Sequence, residues 1–138
     1  MADILADSSF LYALYSVHDR YHPGADHFAG ESPVRLIVPD VILPEVTFLL
    51  KRAGGLPAVL GFLGAFVEAA PILEPLTPTD IRRARGIMAA YPEARLDFVD
   101  CCLGAVAERL GIRQICTFDR RDFNIIRPIH CEYFELLP

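Results

Sequence analysis

Ile4-Leu5-Ala6-Asp7-Ser8-Ser9-Phe10-Leu11 decides the fold. Three apolar residues end on an acid and two serines, and from there Phe10, Leu11, Leu14 and Tyr15 recur at helical spacing. A short apolar strand thus feeds a helix through an acidic corner. Asp7 stands at the strand's carboxyl end, where it can also cap the helix that starts at Ser8.

The alternation continues outward from that corner. Val34 to Val38 is a second apolar strand closed by Pro39-Asp40. Asp40 is placed as N-cap of a helix that carries Pro44 in its first turn, passes Lys51-Arg52 and stops at Gly54-Gly55. Pro57 to Ala69 is almost wholly apolar, a helix either buried on more than one side or turned toward another subunit. Ile72 to Leu76 reads as a strand. Thr77-Pro78-Thr79-Asp80 then opens a helix with a capping threonine, a proline at the first position and an acid three residues on, and Tyr91-Pro92 ends it. Asp97 caps an amphipathic helix to Leu110, with Asp100 in its first turn and Gly111 as its stop. Arg113 to Thr117 is a strand, and a last strand lies near His130 to Leu136. Strands and helices that alternate in this way predict an α/β three-layer sandwich, a mainly parallel central sheet flanked by helices. With no repeat, linker or low-complexity tract, residues 1–138 are expected to form one domain.

A hydrophobic fraction of 53% and a net charge of −5 describe a folding chain with no broad basic surface for nucleic acid. No uninterrupted apolar run reaches the roughly 18 residues of a membrane span, and the start lacks a leader pattern, so a cytoplasmic protein is expected. Cys101, Cys102, Cys116 and Cys131 lack zinc-ligand spacing and read as reduced, mostly buried small hydrophobes. His18, His22 and His27 sit in a polar stretch that Pro23-Gly24 interrupts, a poor metal-binding helix. No glycine-rich phosphate loop with a lysine exists, and Lys51, the only lysine, is not where a phosphoacceptor receiver domain requires one.

Acids carry the functional signal. In sheets of this class, ligands bind beyond the carboxyl ends of the strands, and both Asp7 and Asp119 fall at such ends. Glu45 has only apolar neighbours at helical spacing: Val41, Ile42, Phe48 and Leu49. Buried on that face, a lone carboxylate would cost roughly several kcal/mol unless paired. Few bases lie near, which makes an external cation the natural partner. Each acid also has a purely structural use: Asp7 and Asp97 as caps, Asp100 in a first turn, Asp119 in an Asx-turn. Arg82, Arg83 and Arg85 cluster on one helix and Arg120-Arg121 follow Asp119, either as a solvated face or as contacts to phosphate.

Four segments carry a family resemblance: Ile4 to Leu11, Val38-Pro39-Asp40-Val41-Ile42-Leu43-Pro44-Glu45-Val46, Leu96-Asp97-Phe98-Val99-Asp100 through Gly111, and Thr117-Phe118-Asp119-Arg120-Arg121-Asp122-Phe123. In this order they resemble a PIN-domain nuclease, and within that family the toxins of VapC type. The resemblance implies a Mg2+- or Mn2+-dependent endoribonuclease of PIN-like fold. Its acid quartet falls on Asp7, Glu45, Asp100 and Asp119, with Asp97 and Asp122 as secondary metal or water-positioning groups. Ser9 and Thr117 match small hydroxyl positions beside the site, and Arg120 and Arg121 are candidate RNA contacts. It further implies an RNA substrate, a VapB-type antitoxin as partner and a homodimer, a toxin of a type II toxin-antitoxin system. A PIN nuclease of RNA processing or decay, or a non-catalytic RNA-binding PIN module, is the alternative.

Overall fold

The first strand, β1 (Ala2–Ala6), sits in the middle of the sheet because Ile4, Leu5 and Ala6 are apolar on both faces and fully buried. β2 (Val34–Pro39), β3 (Ile72–Glu74), β4 (Gln114–Cys116) and β5 (Glu135–Leu137) complete an all-parallel sheet in the order β3-β2-β1-β4-β5. One apolar row, Ile72, Ile37, Leu5, Ile115 and Leu136, runs across all five strands and sets their register. This computed structural model describes residues 2–31 and 33–138.

The strand order turns at β1. Right-handed crossovers therefore put the first helices, α1 (Ser8–Tyr15), α2 (His22–Glu31) and α3 (Leu43–Ala69), on one face of the sheet. The later ones, α4 (Pro78–Ala90), α5 (Phe98–Leu110) and α6 (Arg121–Ile125), fall on the other. α5 is the most enclosed element, with Cys101 through Ala107 all buried. It is tied to α4 by two ion pairs. Arg109 Nε meets the buried Asp80 at 2.9 Å, and Arg83 Nε meets Glu108 at 2.7 Å.

Several local expectations hold in detail. Asp7 accepts the Phe10 N–H, Asp97 accepts those of Val99 and Asp100, Thr77 and Asp80 form a capping box, and Gly111 ends α5 in the left-handed region at φ 68°. The cysteines are free, three of them buried, and burial pushes the Cys101 and Cys116 thiols up to about 12 and that of Cys102 to about 11.

Others are corrected. His22–Glu31 is a helix, not an interrupted polar stretch, because Pro23 lies in its first turn, where no backbone N–H is required. Asp40 does not cap α3. It starts a 3-10 turn, Asp40–Ile42, and its carboxylate instead accepts the Leu76 N–H at 3.1 Å, tying the end of β2 to the segment after β3. Lys51-Arg52 and Pro57 lie on one long helical stretch broken at Gly55, whose φ of 70° and ψ of −164° only glycine takes without strain. Counted from Asp40, that stretch spans 30 residues, long and apolar enough by length and composition to cross a membrane. The Gly55 break and the seating of Phe62 and Phe66 against the core, with Phe62 4.9 Å from the Tyr15 ring, place it in the domain. It is not buried on several sides either: Leu56, Leu60, Leu63 and Val67 are exposed. The outer strands are shorter than their apolar runs, and α6 was not expected from the sequence. The arginine cluster on α4 divides, Arg83 pairing with Glu108 while Arg82 and Arg85 stay exposed.

Candidate active site

The turn of the sheet order lies between β1 and β4, and the cleft beyond their carboxyl ends is where a ligand enters such a sheet. β1 delivers Asp7 there, only 3% exposed, with its backbone N–H continuing the ladder to Cys116 O at 3.1 Å. Its Oδ1 caps α1 through Phe10 N at 2.9 Å and accepts Ser9 Oγ at 2.8 Å. From across the seam, Thr117 donates its hydroxyl to Oδ2. That hydroxyl in turn accepts the Asp119 N–H at 2.9 Å, so the turn is closed by Thr117, and the Asp119 carboxylate, not needed for an Asx-turn, lines the cleft.

The opposite walls come from α3 and α5. Glu45, in the first turn of α3, reaches Ser8 Oγ at 3.0 Å, and Leu49 lies one turn further along. Asp97 and Asp100 open α5. Asp122, buried on α6, accepts the Asp97 N–H at 2.8 Å through one oxygen and Arg121 Nη1 at 2.6 Å through the other. The cleft encloses about 290 Å³, lined by Asp7, Ser8, Ser9, Glu45, Leu49, Asp97, Asp100, Asp119 and Asp122. All six predicted acids meet there, and among the described residues no basic side chain lines it. A larger cleft of about 610 Å³ opens at the other end of the strands around Asp3, Arg113, Gln114 and Glu132, away from these acids.

Crowding of like charges in a partly dry site is unfavourable for the carboxylates. Burial, then the charges of Asp7 and Asp97, push Asp100 up to about 9, and burial pushes Asp7 to about 6 against the three hydrogen bonds that favour its charged form. Such a site calls for positive charge, and its oxygen-only donors suit a hard divalent cation. Among the described residues no three carboxylate, imidazole or thiolate side chains close tightly enough to cage an ion by themselves. A cation held here would keep water or substrate oxygens in several of its positions, as magnesium prefers.

The sequence reading placed Glu45 on a buried face and was wrong in that respect. Glu45 is exposed at the cleft rim, and its neighbour Phe48 is 61% exposed, because the apolar periodicity of α3 continues past the surface that it buries. Ser8, the partner of Glu45, was not singled out; its one signal was adjacency to Asp7. Ser9 and Thr117 lie beside the acids, each donating to the Asp7 carboxylate. Arg120 reaches the Pro138 carbonyl, while Arg121 bridges Asp122 and the Ala94 carbonyl and has a structural role.

A PIN-domain family model matches residues 4–127, and the chain belongs to that family. Along its length it is similar to Ribonuclease VapC26 of Mycobacterium tuberculosis (strain ATCC 25618 / H37Rv), 27% identical over 135 residues, 98% of this chain and all of that one. Among solved structures it superposes on the sarcin-ricin loop cleaving toxin VapC20 of the same organism with a TM-score of 0.82, 23% identity and coverage of 98% and 99%. A toxin-antitoxin complex from Klebsiella pneumoniae matches with a TM-score of 0.61 at 18% identity, over 87% of this chain and 89% of that one.

Proposed function

We propose that this chain is an endoribonuclease of VapC type, the toxin of a toxin-antitoxin pair, in which Asp7, Glu45, Asp100 and Asp119 hold Mg2+ or Mn2+ over the phosphodiester to be hydrolysed. The observation that carries the reading is the cleft itself: six carboxylates at the turn of a parallel sheet, with no basic side chain among its lining residues. The VapC26 relative, a ribonuclease by name, supports the reaction class, and the Klebsiella complex supports an antitoxin partner. When bound, the cation supplies Lewis acidity toward a water and a phosphodiester oxygen.

The protein's own groups do the rest. Ser9 and Thr117 orient the Asp7 carboxylate from two sides, and Ser8 holds Glu45. Burial and the charges of Asp7 and Asp97 push Asp100 up to about 9, so a cation bound beside it displaces a proton. Asp97 and Asp122, whose oxygens already serve the α5 cap and Arg121, position water or a second ion rather than forming the primary set. Arg120, beside Asp119, is a candidate contact to the RNA backbone. The whole of 1–138 acts as one PIN domain in the cytoplasm, and the exposed apolar side of α3 joins two copies into a homodimer.

The test is cleavage of total RNA by the purified chain with Mg2+ or Mn2+ against chelator, beside Asp100→Asn. Discrete fragments that need the metal and vanish in the variant are expected. Equal cleavage by both proteins, or none with any metal, would overturn the assignment.

A further inference from the structure

Between α1 and α2 the chain turns through residues 16–21, with Asp19 N bonded to Ser16 O and His22 N to Asp19 O, each at 3.0 Å. This turn presents Tyr21 face to face with Phe118, their ring centroids 4.5 Å apart and their planes 9° from parallel. Behind Phe118 lies Phe10, also stacked, at 6.0 Å, and Phe28 closes the column edge-on against Phe10. The inner rings belong to the core. Tyr21 does not: it is 38% exposed, and the Arg20 guanidinium lies over its ring, 4.6 Å from the centroid.

Arg20 is set apart by its seat on an aromatic ring. Arg35, Arg83, Arg109 and Arg121 each pair with a carboxylate, whereas among the described residues Arg20 pairs with none and donates only to the Tyr21 hydroxyl at 2.8 Å. Asp19 is adjacent but is turned to the Tyr21 backbone N–H at 2.9 Å. The cation rests on a flat aromatic surface with its charge unanswered.

That surface adjoins the acids. Phe118 precedes Asp119, and its N–H donates to Ser9 Oγ at 2.9 Å, the hydroxyl that donates to Asp7. Tyr21 is thus linked to the cleft through one stacked ring and the residue that follows it, Asp119. A flat, rigidly backed, half-open ring beside a phosphate-cleaving site, with an unpaired guanidinium over it, has the parts of a single-strand stacking subsite: π-face for the base, cation for the phosphate.

We propose that Tyr21, backed by Phe118, stacks an unpaired base next to the cleaved bond, and that Arg20 occupies this place in the free protein and moves to the adjoining phosphate when RNA binds. The subsite favours single-stranded over duplex RNA and tolerates any base, because every base has a π-face. This rests on the ribonuclease reading above.

The chain contains no tryptophan, so Tyr21→Trp installs a single fluorescent reporter at the subsite. The probes are a dye-labelled twelve-residue adenylate RNA and an abasic ribose-phosphate strand of equal length. Both are titrated in calcium, which neutralises the acids through loose oxygen coordination. The adenylate RNA is expected to quench the Trp emission and the abasic strand to leave it unchanged. By anisotropy, Tyr21→Trp should bind the RNA as the wild type does, and Tyr21→Leu about 5- to 100-fold more weakly. If the wild type binds RNA but Tyr21→Trp is not quenched, is quenched equally by the abasic strand, or Tyr21→Leu binds undiminished, the subsite falls and the ribonuclease reading stands. If the wild type binds no RNA, both fall.

Discussion

The Thr117 hydroxyl donates to the Asp7 carboxylate across the seam between β4 and β1 while accepting the N–H of Asp119. One oxygen thereby couples two acids 112 residues apart in the chain, and the coupling exists only when the two central strands pair in register, Ala6 opposite Cys116.

Removing that hydroxyl tests its importance. In Thr117→Val, Asp7 loses a donor that favours its charged form, so a pKa already raised to about 6 by burial climbs further. A hydrogen bond to a charged group contributes on the order of 1.5–3 kcal/mol, which predicts a fall in cleavage of about tenfold or more at neutral pH. The acid limb of the pH-rate profile should shift upward, and Thr117→Ser should restore it. An unshifted limb would reduce Thr117 to a packing residue.

Asp100→Asn should abolish cleavage yet stabilise the metal-free protein. The folded-state pKa of Asp100 lies at about 9, far above its ordinary value of 3.8, so the folded protein binds the extra proton. Stability contributed by that proton is complete below about pH 4 and is lost as pH rises toward 9. Asparagine has no such loss. Urea unfolding at pH 5, 7 and 9 should show the variant gaining on the wild type at each step, and parallel curves would return Asp100 to an ordinary carboxylate.

Divalent cations compete with these same protons. Binding of Mn2+ should be tighter at pH 8 than at pH 6, with protons released, because Asp100 and part of the Asp7 population must ionise first. Calorimetric titration in two buffers of different ionisation enthalpy measures the proton count, and zero release would contradict a site built on these acids.

Arg120 and Arg121 should separate cleanly. Arg120→Ala is expected to lower the salt dependence of RNA binding by about one unit of slope with little change in stability. Arg121→Ala leaves the buried Asp122 without its cation and the Ala94 carbonyl without its donor, and should destabilise the fold by roughly 1–3 kcal/mol. Equal salt slopes in wild type and Arg120→Ala would return Arg120 to the solvated surface.

Much of this was legible along the chain. The apolar runs of β1 and β2, the Thr77-Asp80 capping box, the Asp97 cap and the Gly111 stop are local patterns, and local patterns survive folding when no tertiary contact opposes them. α2 was hidden because Pro23-Gly24 reads as a breaker unless one knows that it begins a helix. The exposure of Glu45 was hidden because apolar periodicity marks a face without saying what covers it. The Arg121–Asp122 and Tyr21–Phe118 contacts involve α6 and the α1–α2 turn, which carry little periodicity of their own.

By itself the sequence determined the alternation of strand and helix, and with it a parallel sheet whose strand ends carry acids, because hydrophobic period and caps act over a few residues. Packing settles which acids share a cleft, which are already engaged by neighbours, and how far their pKa values move. Those outcomes depend on the register between β1 and β4 and on the desolvation of Asp7 and Asp100, and both arise only when segments distant in the chain pack together.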